Sequence, residues 1–132
     1  MSDLWKRLTF SLSGRKCDLL GQWQREGDNF AGCLVSIDQS DAGLTGTLVY
    51  VPPAMSDFGW STGQTKWRQI RRQSKSVFRL QDLFLELDAE TRRPTREVYR
   101  PSKAYFVDEG LILVASSLWT GRRTLWRRVS DS

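Results

Sequence analysis

LLGQWQREGDNFAGCLVSIDQSDAGLTGTL, residues 19–48, decides the fold. From Leu19 onward the apolar residues recur with a period of two. Leu19, Gly21 and Trp23 share one face, and Cys33, Val35 and Ile37 repeat the alternation on the next segment. A period of two belongs to a strand with one buried face. Asp38 to Gly43 is a run of turn formers that ends on glycine. Leu44, Gly46, Leu48 and Tyr50 then alternate with Thr45, Thr47, Val49 and Val51, until Pro52-Pro53 stops the strand. Proline has no N–H to give to a ladder, so it belongs at such an end.

Outward from this stretch the same pattern continues toward the C-terminus. Residues 52–65, PPAMSDFGWSTGQT, have loop composition but carry Phe58 and Trp60. A loop of that length suits a lid or binding loop. Strand-like segments resume at 67–72, 76–82, 83–88, 95–100 and 104–107, with a polar turn at 89–94. A last hairpin is expected from 111–119 and 122–129 about Thr120-Gly121. A two-residue loop there pairs Ala115 with Trp126, Val114 with Arg127 and Ile112 with Val129. One face then carries Ile112, Val114, Leu125 and Val129 with Arg127 among them, and the other carries Leu113, Ala115, Trp126 and Arg128.

Toward the N-terminus, Leu4, Trp5, Leu8 and Leu12 recur at helical spacing. Residues 1–18 therefore read as a lead-in, with either a short helix or an irregular plugging segment over 3–13, and 19–132 as the single β domain. About eight short strands with little helix predict an all-β chain forming one antiparallel up-and-down barrel.

Three features together resemble the calycin superfamily of lipocalins, avidins and related small barrels: Gly21-x-Trp23 on the first strand, Leu44-Thr45-Gly46-Thr47-Leu48 on the third, and the Trp-Arg-Arg run at 126–128 near the end. The resemblance covers residues 19–51 and 111–129. It implies that Trp23 closes one end of the barrel beneath a basic residue of the last strand, a place the hairpin count gives to Arg127. A guanidinium over an indole face is a favourable contact in its own right. The resemblance carries no biotin or haem site to this chain. Bacterial anti-phage receptors that read cyclic dinucleotides are similar in size and barrel architecture.

Composition limits the chemistry. The chain has 132 residues, six tryptophans, a net charge of +5 and no histidine. Without histidine there is no Ser-His-Asp or Cys-His pair, and two cysteines cannot complete an ordinary zinc site. Cys17 and Cys33 read as reduced thiols of a cytosolic protein, with a disulfide between them as the alternative. Glu86 and Asp88 share a face beside a polar turn, where carboxylates are ordinarily solvated. No phosphate-loop motif occurs, and no apolar run reaches the length of a membrane span. The expectation is a binding protein and not an enzyme, with no cofactor and no metal, located in the cytoplasm as a whole protein or as the soluble part of a larger or membrane-anchored one.

The basic balance is concentrated. Residues 66–103 hold eleven Lys and Arg against five Asp and Glu, which suits an anionic partner. Tyr50, Phe58, Trp60, Trp67 and Tyr105 are candidate stacking residues at the open end of the barrel. Arg68, Arg71 and Arg79 are candidate phosphate partners. The expected function is a sensor or carrier for a small anionic or nucleotide-like ligand. The alternatives are a nucleic-acid-binding outer surface, or a protein-interaction module with a filled interior and Trp60 as the docking residue.

Overall fold

The computed structural model describes residues 17–116 and 122–130. Eight strands close into one antiparallel barrel in sequence order: β1 (Gly21–Glu26), β2 (Leu34–Ser40), β3 (Gly43–Tyr50), β4 (Thr65–Ser74), β5 (Val77–Leu87), β6 (Pro94–Asp108), β7 (Leu111–Ala115) and β8 (Arg123–Ser130). Closure pairs β1 with β8 and leaves no edge strand. One helical turn, α1 (Pro53–Ser56), sits in the loop after β3. The helix expected over 3–13 and the Thr120-Gly121 turn lie outside the described residues.

Alternation in the opening stretch places its side chains as expected. Leu19, Trp23, Cys33, Val35, Ile37 and Leu48 are all buried. The glycine of Leu44-Thr45-Gly46-Thr47-Leu48 has a packing reason. A Cβ at Gly46 would stand 3.0 Å from the Trp67 ring and 3.0 Å from Val35. Trp67 fills the space that a larger residue would take. It meets Trp126 edge to face at 4.7 Å, a favoured aromatic geometry. Trp23, Phe106 and Phe78 continue the chain of rings at 6.0 and 6.1 Å. Side chains thus occupy the barrel interior, as eight strands allow.

Three expectations are corrected by register. Segments 76–82 and 83–88 are one strand, β5, and segments 95–100 and 104–107 are one strand, β6. The two long strands pair continuously, so neither needs a turn in its middle. Tyr50 does not follow Leu48 inward. Val35 pairs with Leu48 but Leu34 pairs with Tyr50, so an extra residue on β3 turns Tyr50 to the outside, where it is 46% exposed. The last hairpin is shifted by three residues, because Ala115 faces Arg123 and Ile112 faces Trp126. An odd shift exchanges the two faces of a strand. Trp126 and Arg128 therefore turn inward, and Arg127 turns out to pair with Glu26 at 3.1 Å. Burying the whole of Trp126 against Trp67 outweighs a short loop.

The sealed end follows from that register. The Arg128 guanidinium lies 4.4 Å from the centre of the Trp23 ring. It donates to the Leu20 carbonyl at 2.7 Å, and also to the carbonyls of Asp18 and Glu109. Trp23 Nε1 donates to the Leu19 carbonyl at 2.9 Å. Arg72 stacks over Phe78 at 4.5 Å and donates to the Cys17 carbonyl at 2.7 Å. Two arginines thus bind the lead-in 17–20 across the barrel end. The basic residue expected over Trp23 is present, but it is Arg128 and not Arg127. Cys17 and Cys33 are both buried, one near each end of the barrel, and no disulfide joins them.

Candidate functional site

Strand direction places the β1–β2, β3–β4 and β5–β6 connections and the start of β8 together at the other end. They surround a cleft of about 790 Å³, a size that suits one small ligand. Phe30, Phe58, Trp60 and Phe84 supply its aromatic walls. Arg25, Arg92, Arg122 and Arg123 supply its cations, against a single carboxylate among the described residues, Asp28.

Local sequence explains how each wall is held. In the β1–β2 connection, Asp28 accepts from the Phe30 backbone N–H at 3.1 Å, which turns the chain and presents the Phe30 ring. Arg25 pairs with Asp28 at 2.8 Å and lies 5.1 Å from the Phe30 ring centre and 5.8 Å from that of Trp126. Phe30 in turn meets Phe58 at 5.9 Å. In the β3–β4 connection, α1 begins on Pro53, which suits a first helical position. Gly59 follows at φ +97, and a Cβ there would stand 2.5 Å from Pro94. The loop therefore leans on the start of β6 at a place only glycine fits. Gly63 donates to the Leu48 carbonyl at 2.8 Å and closes the loop.

The β5–β6 connection is built on Asp88. Its carboxylate accepts from the backbone N–H groups of Glu90 and Thr91 at 2.8 and 2.9 Å. Those bonds hold its pKa below the usual carboxylate value. Arg92 comes out of this turn at φ +61, a left-handed conformation that costs an arginine free energy. It is one of the cleft cations.

Beneath the cleft lies a buried charge pair. Lys66 is 4% exposed and Asp82 is 6% exposed. Lys66 Nζ stands 2.8 Å from Asp82 Oδ1 and donates to the Leu83 carbonyl at 2.7 Å. The approach to Oδ1 is off the line of a directed hydrogen bond, so the contact is ionic. Lys66 also lies 4.8 Å from the Trp60 ring centre and 5.2 Å from that of Phe84. A register shift between Gly46 and Thr47 is what allows neighbouring Lys66 and Trp67 both to be buried. Trp67 Nε1 is buried with no acceptor among the described residues.

The eight residues proposed from sequence do not form one site. Phe58 and Trp60 line the cleft. Trp60 is not a free lid, however, because it is 8% exposed and packed against Lys66. Trp67 belongs to the barrel interior and Tyr50 to the outer surface. Arg68 stacks 3.5 Å over Tyr99 and donates to Gln81 at 2.8 Å. Arg71 and Arg79 line a separate groove on the barrel flank, and Tyr105 is a half-buried outward residue paired with Val77 and Leu113. Of the structural pair, Trp23 stands at the sealed end and Arg127 does not. Sequence reasoning missed Arg25, Phe30, Phe84, Arg92, Arg122 and Arg123. Phe30 carried the same signal as Trp60, a large ring among glycines and turn formers. Arg92 gave no signal, because its conformation arises only when the turn closes.

Glu86 forms an exposed pair with Arg96 at 2.7 Å, which holds its carboxyl below the usual range. Among the described residues no three Cys, Asp or Glu side chains cluster as metal ligands, and no helix is long and apolar enough to cross a membrane. The architecture defines a closed eight-stranded antiparallel barrel with one sealed end and one open cleft. Comparison with family models, curated proteins and solved structures finds no match to this chain.

Proposed function

We propose that this barrel is a non-catalytic binding protein, a sensor or carrier that takes a small, flat, anionic ligand at its open end. A nucleotide or cyclic dinucleotide fits that description. The observation that carries the reading is the meeting of four arginines and four aromatic rings around one cleft, where the one carboxylate among the described lining residues, Asp28, is already paired with Arg25. Rings offer stacking faces of about 1–3 kcal/mol per base, and guanidinium groups offer forked donors to phosphate. The strained backbone of Arg92 supports the same reading, since strain of this kind collects at functional positions. Closure of the far end by Trp23 and Arg128 supports a calycin-like relationship. Two reduced, buried thiols suit a reducing compartment such as the cytoplasm.

The test is a thermal-shift series on the full chain with mononucleotides, cyclic dinucleotides and inorganic phosphate. A ligand at one hundred times its Kd should add about 2.7 kcal/mol of stability. Arg92→Gly keeps the left-handed turn and removes the guanidinium. It should lower affinity at least tenfold without lowering the melting temperature of the free protein. No shift with any nucleotide overturns the reading.

A further inference from the structure

The flank of the barrel holds a second group of cations, apart from the cleft. On β4 and β5, Arg71 stands directly opposite Arg79, and on β5 and β6 Arg79 stands directly opposite Lys103. Three positive side chains thus lie side by side on three adjacent strands and point outward. Like charges directly opposite one another destabilise a sheet. The three line a groove of about 750 Å³, and no carboxylate is among its described lining residues.

A backbone irregularity creates this repulsive row. The β4–β5 pairing runs through Arg68 and Gln81, then jumps by one residue before Arg71 meets Arg79. Within that jump Gln69 adopts φ 52, a left-handed conformation that is costly for a residue other than glycine. Had the register continued unbroken, Ile70 would face Arg79 and Arg71 would face Phe78. The bulge therefore brings two arginines together at the expense of both strain and repulsion. Bulges of this kind re-aim side chains beside binding sites, and an anion in the groove removes the repulsion.

We infer that this groove binds the phosphate backbone of a single-stranded nucleic acid. Three strands about 4.8 Å apart span roughly 10 Å between the outer cations. That reach suits successive phosphates of one flexible strand. Tyr105, two residues along β6 from Lys103 on the same face, offers a ring edge to a neighbouring base. A bilayer fits poorly, because the adjoining apolar row of Val77, Tyr105, Leu113 and Leu125 is half-buried and does not protrude.

The experiment is fluorescence anisotropy of the full chain with labelled twelve-residue oligothymidylate and oligouridylate strands. Binding is expected, and three neutralised phosphates give a slope of log affinity against log salt of about −2. Affinity should then fall roughly fifteenfold between 50 and 200 mM salt. The triple variant Arg71→Ala, Arg79→Ala, Lys103→Ala should lose at least tenfold in strand affinity. Its melting temperature should not fall, and its response to a cleft ligand should be unchanged. Arg79→Gln alone, a milder change, should make the salt slope shallower by about 0.7. The inference is overturned by no binding at 50 mM salt, by equal binding of the triple variant, or by an unchanged slope in Arg79→Gln. It is also overturned by tighter retention on phosphatidylserine vesicles than on the strands. Loss of cleft binding leaves these outcomes untouched, so the two sites fail or stand separately.

Discussion

The two ends of the barrel use the same residue types to opposite effect. At the sealed end Arg128 and Arg72 spend their donors on backbone carbonyls of Asp18, Leu20, Glu109 and Cys17. A carbonyl cannot move away or change charge, so those arginines are fixed and the end is closed. At the open end Arg25 is held by a carboxylate, while Arg92, on a turn, and Arg122, beside the start of β8, line the cleft. Trp23 at the sealed end has its indole N–H satisfied, with its ring under a guanidinium. Trp60 at the open end lies over an ammonium group instead. Satisfied hydrogen bonding marks the structural end, and cations gathered about aromatic walls mark the end where a ligand is proposed.

The largest effect expected concerns the floor of the open end. If Lys66 supports the cleft through Asp82 and Trp60, Lys66→Met leaves a carboxylate buried without its counter-charge. Breaking one side of a buried pair costs about 3–5 kcal/mol, measurable by urea unfolding. The double variant Lys66→Met, Asp82→Leu should recover most of that loss, because it removes both charges. A double variant as unstable as the single would show that packing of the Lys66 stem against Trp60 and Phe84, and not charge, holds the floor.

At the sealed end the contrast between neighbours is sharper still. Arg128→Ala removes a charged donor to several carbonyls and should cost about 2–3 kcal/mol. Arg127→Ala removes only an exposed pair with Glu26 and should leave the urea midpoint unchanged. Equal effects from the two would mean that the β8 register is not the one described, since only the register distinguishes them.

That register shows where sequence stops being legible. Strands β1 to β3 could be read because apolar residues alternate along each, but the turn expected over 38–43 is confined to 41–42, since Asp38, Gln39 and Ser40 continue β2 and pair with Thr45, Leu44 and Gly43. Alternation placed Trp23 on the buried face, but its closing role was implied only by the resemblance to calycin barrels. The choice between Arg127 and Arg128 depended on one loop length, and a single residue of slip reverses every facing. Lys66 and Asp82 were invisible for a related reason. Strand alternation would expose one of Lys66 and Trp67, and the bulge that buries both depends on pairing with β3. The flank groove was legible as charge but not as a row, because Arg71 meets Arg79 only through the bulge at Gln69. The cleft brings together three loops and the start of β8 from across the chain, so only its isolated aromatic residues could be seen in advance.

The smallest effect expected compares the cysteines, one near each end. Burial raises both thiols, with Arg72 partly opposing the rise at Cys17. At Cys33, beneath the cleft, burial pushes the pKa up to about 11 against the opposing pull of Arg25 and Lys66. A thiol ionises more readily in the unfolded chain than in this site. Its contribution to stability is therefore complete below about pH 8.5, the ordinary thiol value. It is lost progressively as the pH rises through the folded value. Melting temperature should decline between about pH 9 and 11, and Cys33→Ala should flatten part of that decline. At pH 8 neither cysteine of the native protein should react with a thiol reagent, while both should react in urea. Rapid native labelling of Cys33 alone would mean that the open end admits a reagent to its floor, which would make the contrast between the two ends deeper than the packing indicates.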